Sequence, residues 1–407
     1  QTLNDPQSAR KALESWLDKQ RESVAPSMVS QSVMMLVSIY SDTLGKPKDA
    51  LSVLDKELGR IAGKSVPDQA SLIKLKGDMY LKLKDPAKAE AEFSKVLGIG
   101  PDVPNTLLSE CYLKLAQIYA DTGRKDEAVK TLLAYIKSDA LAYPGDAVTR
   151  FLALKPGNSQ LDEAATLLRA KSANAMRAPT GVTADVYLPE LAKVLTQRGK
   201  MEEALQEARV YYYLCPDANF MTAVNLVAST FKSMDGNLGR ANRFLKYMRF
   251  GPNGEDSKPR TADDLDNVLG DVPAISLEQR SRLYADVLTS VPADWMGCRK
   301  EALVYLCLDE PQKAVQSFRK SFELCPLADA QVQAAADAVT GFIVRATRDP
   351  QSAQTLVDFM MFGPAGKDGK EGTADDLKDP TQGIMDKIRT TPQQPKSVEP
   401  VASQPAP

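Results

Sequence analysis

Two stretches of this sequence gather the residue types that a divalent cation needs. FGPNGEDSKPRTADDL (250–265) and FGPAGKDGKEGTADDL (362–377) align without a gap. Calcium takes about six to eight oxygen ligands from a loop that glycines bend sharply. One copy offers the carboxylates of Asp256, Asp263 and Asp264 with the Thr261 hydroxyl. The other offers Asp368, Asp375 and Asp376 with Thr373. Backbone carbonyls and water would complete each shell. A structural reading fits the same residues, because Thr-Ala-Asp-Asp is a good helix start: Thr as N-cap, acids in the first turn. Arg260, where the second copy has Gly372, makes the first copy the poorer cation site. Asn253 against Ala365 is not a shared ligand. Both readings stay open on sequence alone.

Other chemistry is hard to build from this chain. It has no histidine in 407 residues, which removes the commonest general base and zinc ligand. GRIAGKS (59–65) has three residues between its glycines where a phosphate loop needs four, and no strand precedes it. SLIK (71–74) and SFRK (317–320) match Ser-x-x-Lys but lie inside helical patterns without companion motifs. The cysteines, Cys111, Cys215, Cys298, Cys307 and Cys325, follow no metal spacing and read as small buried apolar residues. The expectation is a protein that is not an enzyme and that holds no cofactor beyond calcium. A net charge of −2 gives no electrostatic reason for nucleic acid as a partner. No apolar run approaches the roughly 18–20 residues of a transmembrane segment.

The elements that must position the loops show an internal period. In LIKLKGDMYLKLKDPAKAEAEFSKVLGIGPD, Gly77 and Tyr80 sit on a first helix, Asp85-Pro86 makes a turn, Ala89 and Phe93 sit on a second, and Pro101 stops it. The frame recurs with Ala116, Tyr119, Ala128, Leu132 and Tyr135, and again with Ala192, Leu195, Ala204, Ala208, Tyr211 and Pro216. It returns with Ala302, Tyr305, Ala314, Phe318 and Pro326, and more weakly with Tyr40, Ala50 and Leu54. Small residues stand where helices touch and large ones fill the gap. These offsets resemble the tetratricopeptide (TPR) repeat, a helix–turn–helix unit of about 34 residues. The resemblance implies an all-α, TPR-like solenoid of antiparallel helix pairs with two Gly/Asp-rich loop insertions and a Pro-rich C-terminal tail. The loops themselves resemble Asp/Gly-rich calcium loops in a general way, and stretches like them occur in exported bacterial proteins. They are not EF-hands, since the regular Asp spacing and the terminal Glu are missing.

A larger duplication encloses the loops: LCPDANF (214–220) aligns with LCPLADA (324–330), and each FGP stretch follows at nearly the same distance. The expected organisation is an N-terminal half repeat (1–29), a TPR array with degenerate helix pairs (30–184), two modules of TPR, helix pair and loop (185–276 and 277–389), and the tail (390–407). TPR units often bind peptides on the concave face of their first helices, and chaperone-type units use a Lys/Asn clamp there. The corresponding positions, Lys74 and Asp78, Leu113 and Gln117, Pro189 and Lys193, Arg299 and Leu303, carry no such clamp. Tyr211-Tyr212-Tyr213 could be a binding cluster, but its helical frame favours packing. The first helix reads as lacking a partner, with Trp16 and Leu17 on its apolar face. These two residues are therefore candidates for self-assembly, head to tail, into an oligomer or fibre. The rival expectation is a monomeric periplasmic or envelope adaptor holding another protein's peptide. A start at Gln1 fits an exported, mature form, so a secreted or cell-envelope location is expected.

Overall fold

In the computed structural model, residues 5–61, 65–140, 143–177, 186–214, 219–235 and 238–250 are described, with 253–256, 258, 261–265, 311–324, 348–362, 364–380 and a few residues between them. The tail at 390–407, the clamp positions Arg299 and Leu303, Phe318, and Cys215, Cys307 and Cys325 lie outside the described residues or side chains. Among the described residues there are helices and no strand. The fold is an all-α, TPR-like solenoid arrangement. It divides into two compact units, residues 1–157 and 158–407, a boundary inside the array expected over 30–184.

Unit 1 holds α1 (Pro6–Gln20), α2 (Pro26–Ser38) ending in a π-helical turn (Ile39–Thr43), α3 (Pro47–Ile61), α4 (Val66–Lys82), α5 (Pro86–Gly98), α6 (Asn105–Asp121), α7 (Lys125–Lys137) and α8 (Gly145–Ala153). Each helix packs on the next. Local signals set the boundaries. Asp5 accepts the Gln7 and Ser8 amides ahead of Pro6 at the start of α1, and Asp85 accepts the Lys88 amide ahead of Pro86 at the start of α5. Between α4 and α5, Gly77 lets the Phe93 ring reach the backbone. A Cβ at Gly77 would lie 2.7 Å from Phe93 Cε1. Phe93, Ala89, Cys111 and Ala128 are fully buried, as the repeat frame demands. Burial pushes the Cys111 thiol up to about 12, so it stays protonated and serves as an apolar filler.

The N-terminal helix departs from expectation. Leu17 is 3% exposed, and Leu13 and Trp16 pack against the core formed by Val29, Val33, Leu36, Val37 and Tyr40. Arg10 Nη1 donates to the Tyr40 hydroxyl at 3.1 Å, and that hydroxyl donates to Glu14. The other face of α1, with Gln7, Lys11, Ser15, Asp18 and Lys19, is polar and exposed. Trp16 and Leu17 therefore do not form the open apolar end that self-assembly through them requires. The partner missing from the half-repeat reading is α2, which follows α1 and covers its apolar stripe.

Unit 2 holds α9 (Asn158–Arg177), α10 (Leu188–Arg198), α11 (Met201–Leu214), α12 (Phe220–Asp235), α13 (Leu238–Phe250), α14 (Pro311–Glu323) and α15 (Pro350–Phe362). Gly199, at φ 84°, closes α10 in the left-handed conformation. Tyr211 and Tyr212 are buried, and Tyr212 packs edge-on against Phe244 with ring centres 6.0 Å apart. These two tyrosines are core residues, as the frame favoured, and are not available as a surface cluster. Gly/Asp loops follow α13 and α15.

Candidate functional site: two acidic loops and a hydroxyl-lined groove

The two loops fold alike. In the first, Asp263 Oδ2 accepts the Asp256 amide at 3.1 Å, and Asp256 Oδ1 accepts the Lys258 amide at 2.8 Å. In the second, Asp375 Oδ2 accepts the Asp368 amide at 3.0 Å, and Asp368 Oδ1 accepts the Lys370 amide at 2.8 Å. Gly254 and Gly366 have φ of 64° and 61°, and a Cβ on either would lie 2.2 or 2.1 Å from the carbonyl oxygen of Asp263 or Asp375. Only glycine fits at those points.

Each threonine hydroxyl sits among acceptors. Thr261 Oγ1 lies 2.7 Å from Asp263 Oδ1, 3.2 Å from Asp264 Oδ1, 3.3 Å from Asp256 Oδ1 and 3.2 Å from the Lys258 carbonyl. Thr373 Oγ1 has the equivalent neighbours at 2.6, 3.4, 3.4 and 3.1 Å: Asp375, Asp376, Asp368 and the Lys370 carbonyl. One hydroxyl has one proton to give, so most of these oxygens receive nothing from it. The Thr261 hydroxyl, then the Asp256 amide, hold Asp263 below the usual carboxylate range; Thr373 and the Asp368 amide do the same for Asp375. The loops thus bring together every sequence-expected ligand. Among the described residues, however, no three Asp, Glu, Cys or His side chains are already spaced around an open metal centre. No helix starts at either threonine: residues 261–265 and 373–380 are turns and irregular chain. The helix-cap reading fails there because the following aspartate folds back onto an amide seven residues earlier and draws the threonine into the loop.

The first helices of successive pairs make a second kind of surface. In unit 1 it is closed by ion pairs. Asp42 of the π turn pairs with Lys82 of α4. Lys74 of α4 pairs with Glu110 of α6 at 2.5 Å and with Asp78 at 3.2 Å, while Asp78 pairs with Lys114 of α6. Gln117 of α6 accepts from Arg150 of α8 at 3.0 Å. Lys74 and Asp78 side chains are only 17% and 16% exposed. Burial acts to lower the Lys74 pKa, but Glu110 and Asp78 outweigh it and raise it. The clamp positions of α4 are thus occupied from within the chain. Their partners are Glu110 and Lys114 of α6, each about one turn before that helix's own clamp-equivalent positions, Leu113 and Gln117.

Unit 2 is different. Between α10 and α12 runs a groove of about 310 Å³, walled by Lys193, Thr196 and Gln197 on one side. Leu226, Ser229, Thr230 and Ser233 form the other wall. The hydroxyls of Thr196, Ser229, Thr230 and Ser233 donate to carbonyls of their own helices at 2.8, 2.9, 2.8 and 3.0 Å. Their protons are spent, so what they offer a ligand is lone pairs. Lys193 donates to Glu190 Oε1 at 2.7 Å, and Glu190 Oε2, buried, has no hydrogen-bond partner among the described residues. In the repeat frame Lys193 is only a clamp-equivalent position without a clamp. The hydroxyl spacing 229, 230, 233 was the missed signal.

Residues 109–140, which span most of α6 and all of α7, match the tetratricopeptide repeat family. No curated protein matches the chain. The match covers one repeat, and the neighbouring helices pack in pairs in a TPR-like arrangement. No described helix is long and apolar enough to cross a membrane.

Proposed function

We propose that this chain is a non-catalytic scaffold that holds an extended, weakly charged segment of another protein against α10 and α12. The observation that carries the reading is the hydroxyl-lined groove. Four oxygens that have already donated their protons suit the amide N–H groups of an extended peptide, which need acceptors. In unit 1 the matching α4–α6 face is occupied, among the described residues, by its own ion pairs. In this reading the protein acts outside the cytoplasm, as an exported adaptor, and its two loops are weak calcium sites. Support for calcium is the convergence of carboxylate and carbonyl oxygens on Thr261 and Thr373. A cation there would satisfy acceptors that one hydroxyl proton cannot. Extracellular calcium modules work at about 10⁻⁴–10⁻³ M, which suits such sparse, exposed loops.

A second reading, self-assembly, is favoured by a different feature from the one expected. Met28, Met34 and Met35 on α2 are 51%, 37% and 60% exposed and form an uncharged apolar strip. Photo-crosslinking separates the readings. A benzophenone side chain at Ser229 should yield an adduct with a foreign peptide, and one at Met35 should yield none. Adducts of twice the chain mass from position 35 alone would replace the scaffold reading with self-assembly. For calcium, chelation should lower the wild-type melting temperature, and Asp375→Asn with Asp376→Asn should shrink the calcium increment to what the first loop supplies. An unchanged melting temperature on chelation removes calcium from the account.

A further inference from the structure

The sequence contains a single Asn-Gly pair, Asn253-Gly254, and it lies at the head of the first acidic loop. We propose that Asn253 is a self-modification site, at which the chain converts its own asparagine to isoaspartate and thereby opens loop one while leaving loop two intact. The chemistry needs three things: an accessible side-chain amide, a free main-chain nitrogen beside it, and water. Among the described residues neither the Asn253 side chain nor the Gly254 N–H has a hydrogen-bond partner. The next two amides, of Glu255 and Asp256, are both held by Asp263. Glycine puts no side chain in the path of attack. Asn253 is half-buried, so its side chain meets solvent, and a cavity of about 340 Å³ lined by Lys246, Glu255, Asp263 and Asp264 among others lies beside the loop.

The Gly254 nitrogen gives up its proton and attacks Asn253 Cγ. The new N–Cγ bond closes a five-membered imide as the Cγ–Nδ2 bond breaks and ammonia leaves. Water then opens the imide. Opening at the side-chain carbonyl leaves aspartate. Opening at the main-chain carbonyl leaves isoaspartate, whose backbone runs through Cβ and Cγ and is one carbon longer. No oxidant or reductant is required.

The consequence follows from the geometry of the loop. Gly254 already abuts the Asp263 carbonyl so closely that no Cβ fits between them. An extra backbone carbon immediately before it cannot be absorbed without moving Gly254 away from Asp263. The Asp256 amide to Asp263 bond then parts as well. A new carboxylate also arrives beside Asp256, Asp263 and Asp264. Loop two has the same fold with Ala365 in place of Asn253, and so has no amide to react. The two copies are built alike, but only one carries this slow, irreversible switch.

The test uses the purified full chain held at pH 8.5 and 37 °C, with peptide mass spectrometry and amide hydrogen exchange over days. Position 253 should gain about one dalton, mostly as isoaspartate. It should do so as fast in the folded chain as in urea, while the helical Asn158 and Asn225 stay intact. Exchange across 254–265 should rise in step, with 366–377 unchanged. Asn253→Ala, which copies the second loop, should abolish both effects. Conversion in urea but not in the folded chain overturns the proposal. Conversion without any change in exchange across 254–265 overturns the switch.

Discussion

The first-helix faces of the two units use one scaffold for opposite ends. In unit 1, residues at matching turns of α4 and α6 carry crossed charges, and Lys74–Glu110 and Asp78–Lys114 lock the helices face to face. In unit 2, α10 and α12 present hydroxyls and an amide, and a groove remains between them. The backbone arrangement is the same helix-pair stacking in both. What differs is the chemistry of two or three side chains per repeat. A crossed pair of charges satisfies itself across the junction, so nothing is left for a ligand. Hydroxyls satisfy themselves within their own helix, so the junction stays open and accepting. Binding capacity in such an array belongs to a junction and is not a property of the repeat.

The comparison assumes that packing beneath the helices, rather than the ions above them, holds unit 1 together. The largest expected effect tests this. Phe93→Ala removes a fully buried ring seated on Gly77 and should cost about 3–5 kcal/mol. Hydrogen exchange should show protection lost across α4–α7. If Phe93→Ala costs no more than loss of an ion pair, the assumption is wrong.

The next effect is smaller and bears on the lock itself. Asp78→Ala leaves Lys74 and Lys114 facing each other half-buried, and should cost about 1–2 kcal/mol, less in high salt. By contrast Ser229→Ala in the open groove should change stability by less than about 0.5 kcal/mol. Its hydroxyl bonds only its own helix. It should nevertheless weaken capture of the partner peptide. Denaturant melts of both variants, read beside crosslinking yield, check the contrast. Equal stability losses at the two positions would erase the distinction between a closed and an open junction.

The sequence made the repeat legible because its signals are local and paired. A small residue such as Gly77 or Ala128 announces a close approach, and a large one such as Phe93 or Leu132 announces what fills the gap. The acidic loops were legible as turns for a similar reason, since glycines and aspartates close on each other within a few residues. The helix-cap reading of Thr261 and Thr373 missed a longer local loop, the return of Asp263 and Asp375 to amides seven residues back. The ion lock was not legible. Its pairs join residues 36 apart, and which turn of α6 meets which turn of α4 depends on how the helices stack. The frame names equivalent positions on each helix but not which residues of the next helix meet them, and the stacking brings Glu110 and Lys114 to Lys74 and Asp78. Trp16 and Leu17 failed for a plainer reason: an amphipathic stripe declares that it wants a partner without declaring whose.

The smallest expected effect concerns the outermost rung of the lock. The π turn at the end of α2 places Asp42 against Lys82, with Ser41 and Ser38 also donating to it. The Lys82 ammonium first, then those hydroxyls, lower the Asp42 pKa from 3.8 to about 2. A carboxylate with a depressed folded-state pKa stabilises the fold above its unfolded value and loses that contribution as pH falls through the folded one. The Asp42 contribution should therefore be complete above roughly pH 4 and gone near pH 2. Asp42 and Lys82 are 52% and 42% exposed, so solvent screens the pair and the contribution is slight. Asp42→Asn should leave the melting temperature almost unchanged at pH 2 and below, and lower it slightly at pH 6. The groove of unit 2 has no rung of this kind between α10 and α12 among the described residues, so acid should loosen the junctions of unit 1 before that groove. Amide exchange at pH 3, compared between α2–α6 and α10–α12, decides this, and earlier loosening of α10–α12 would contradict it.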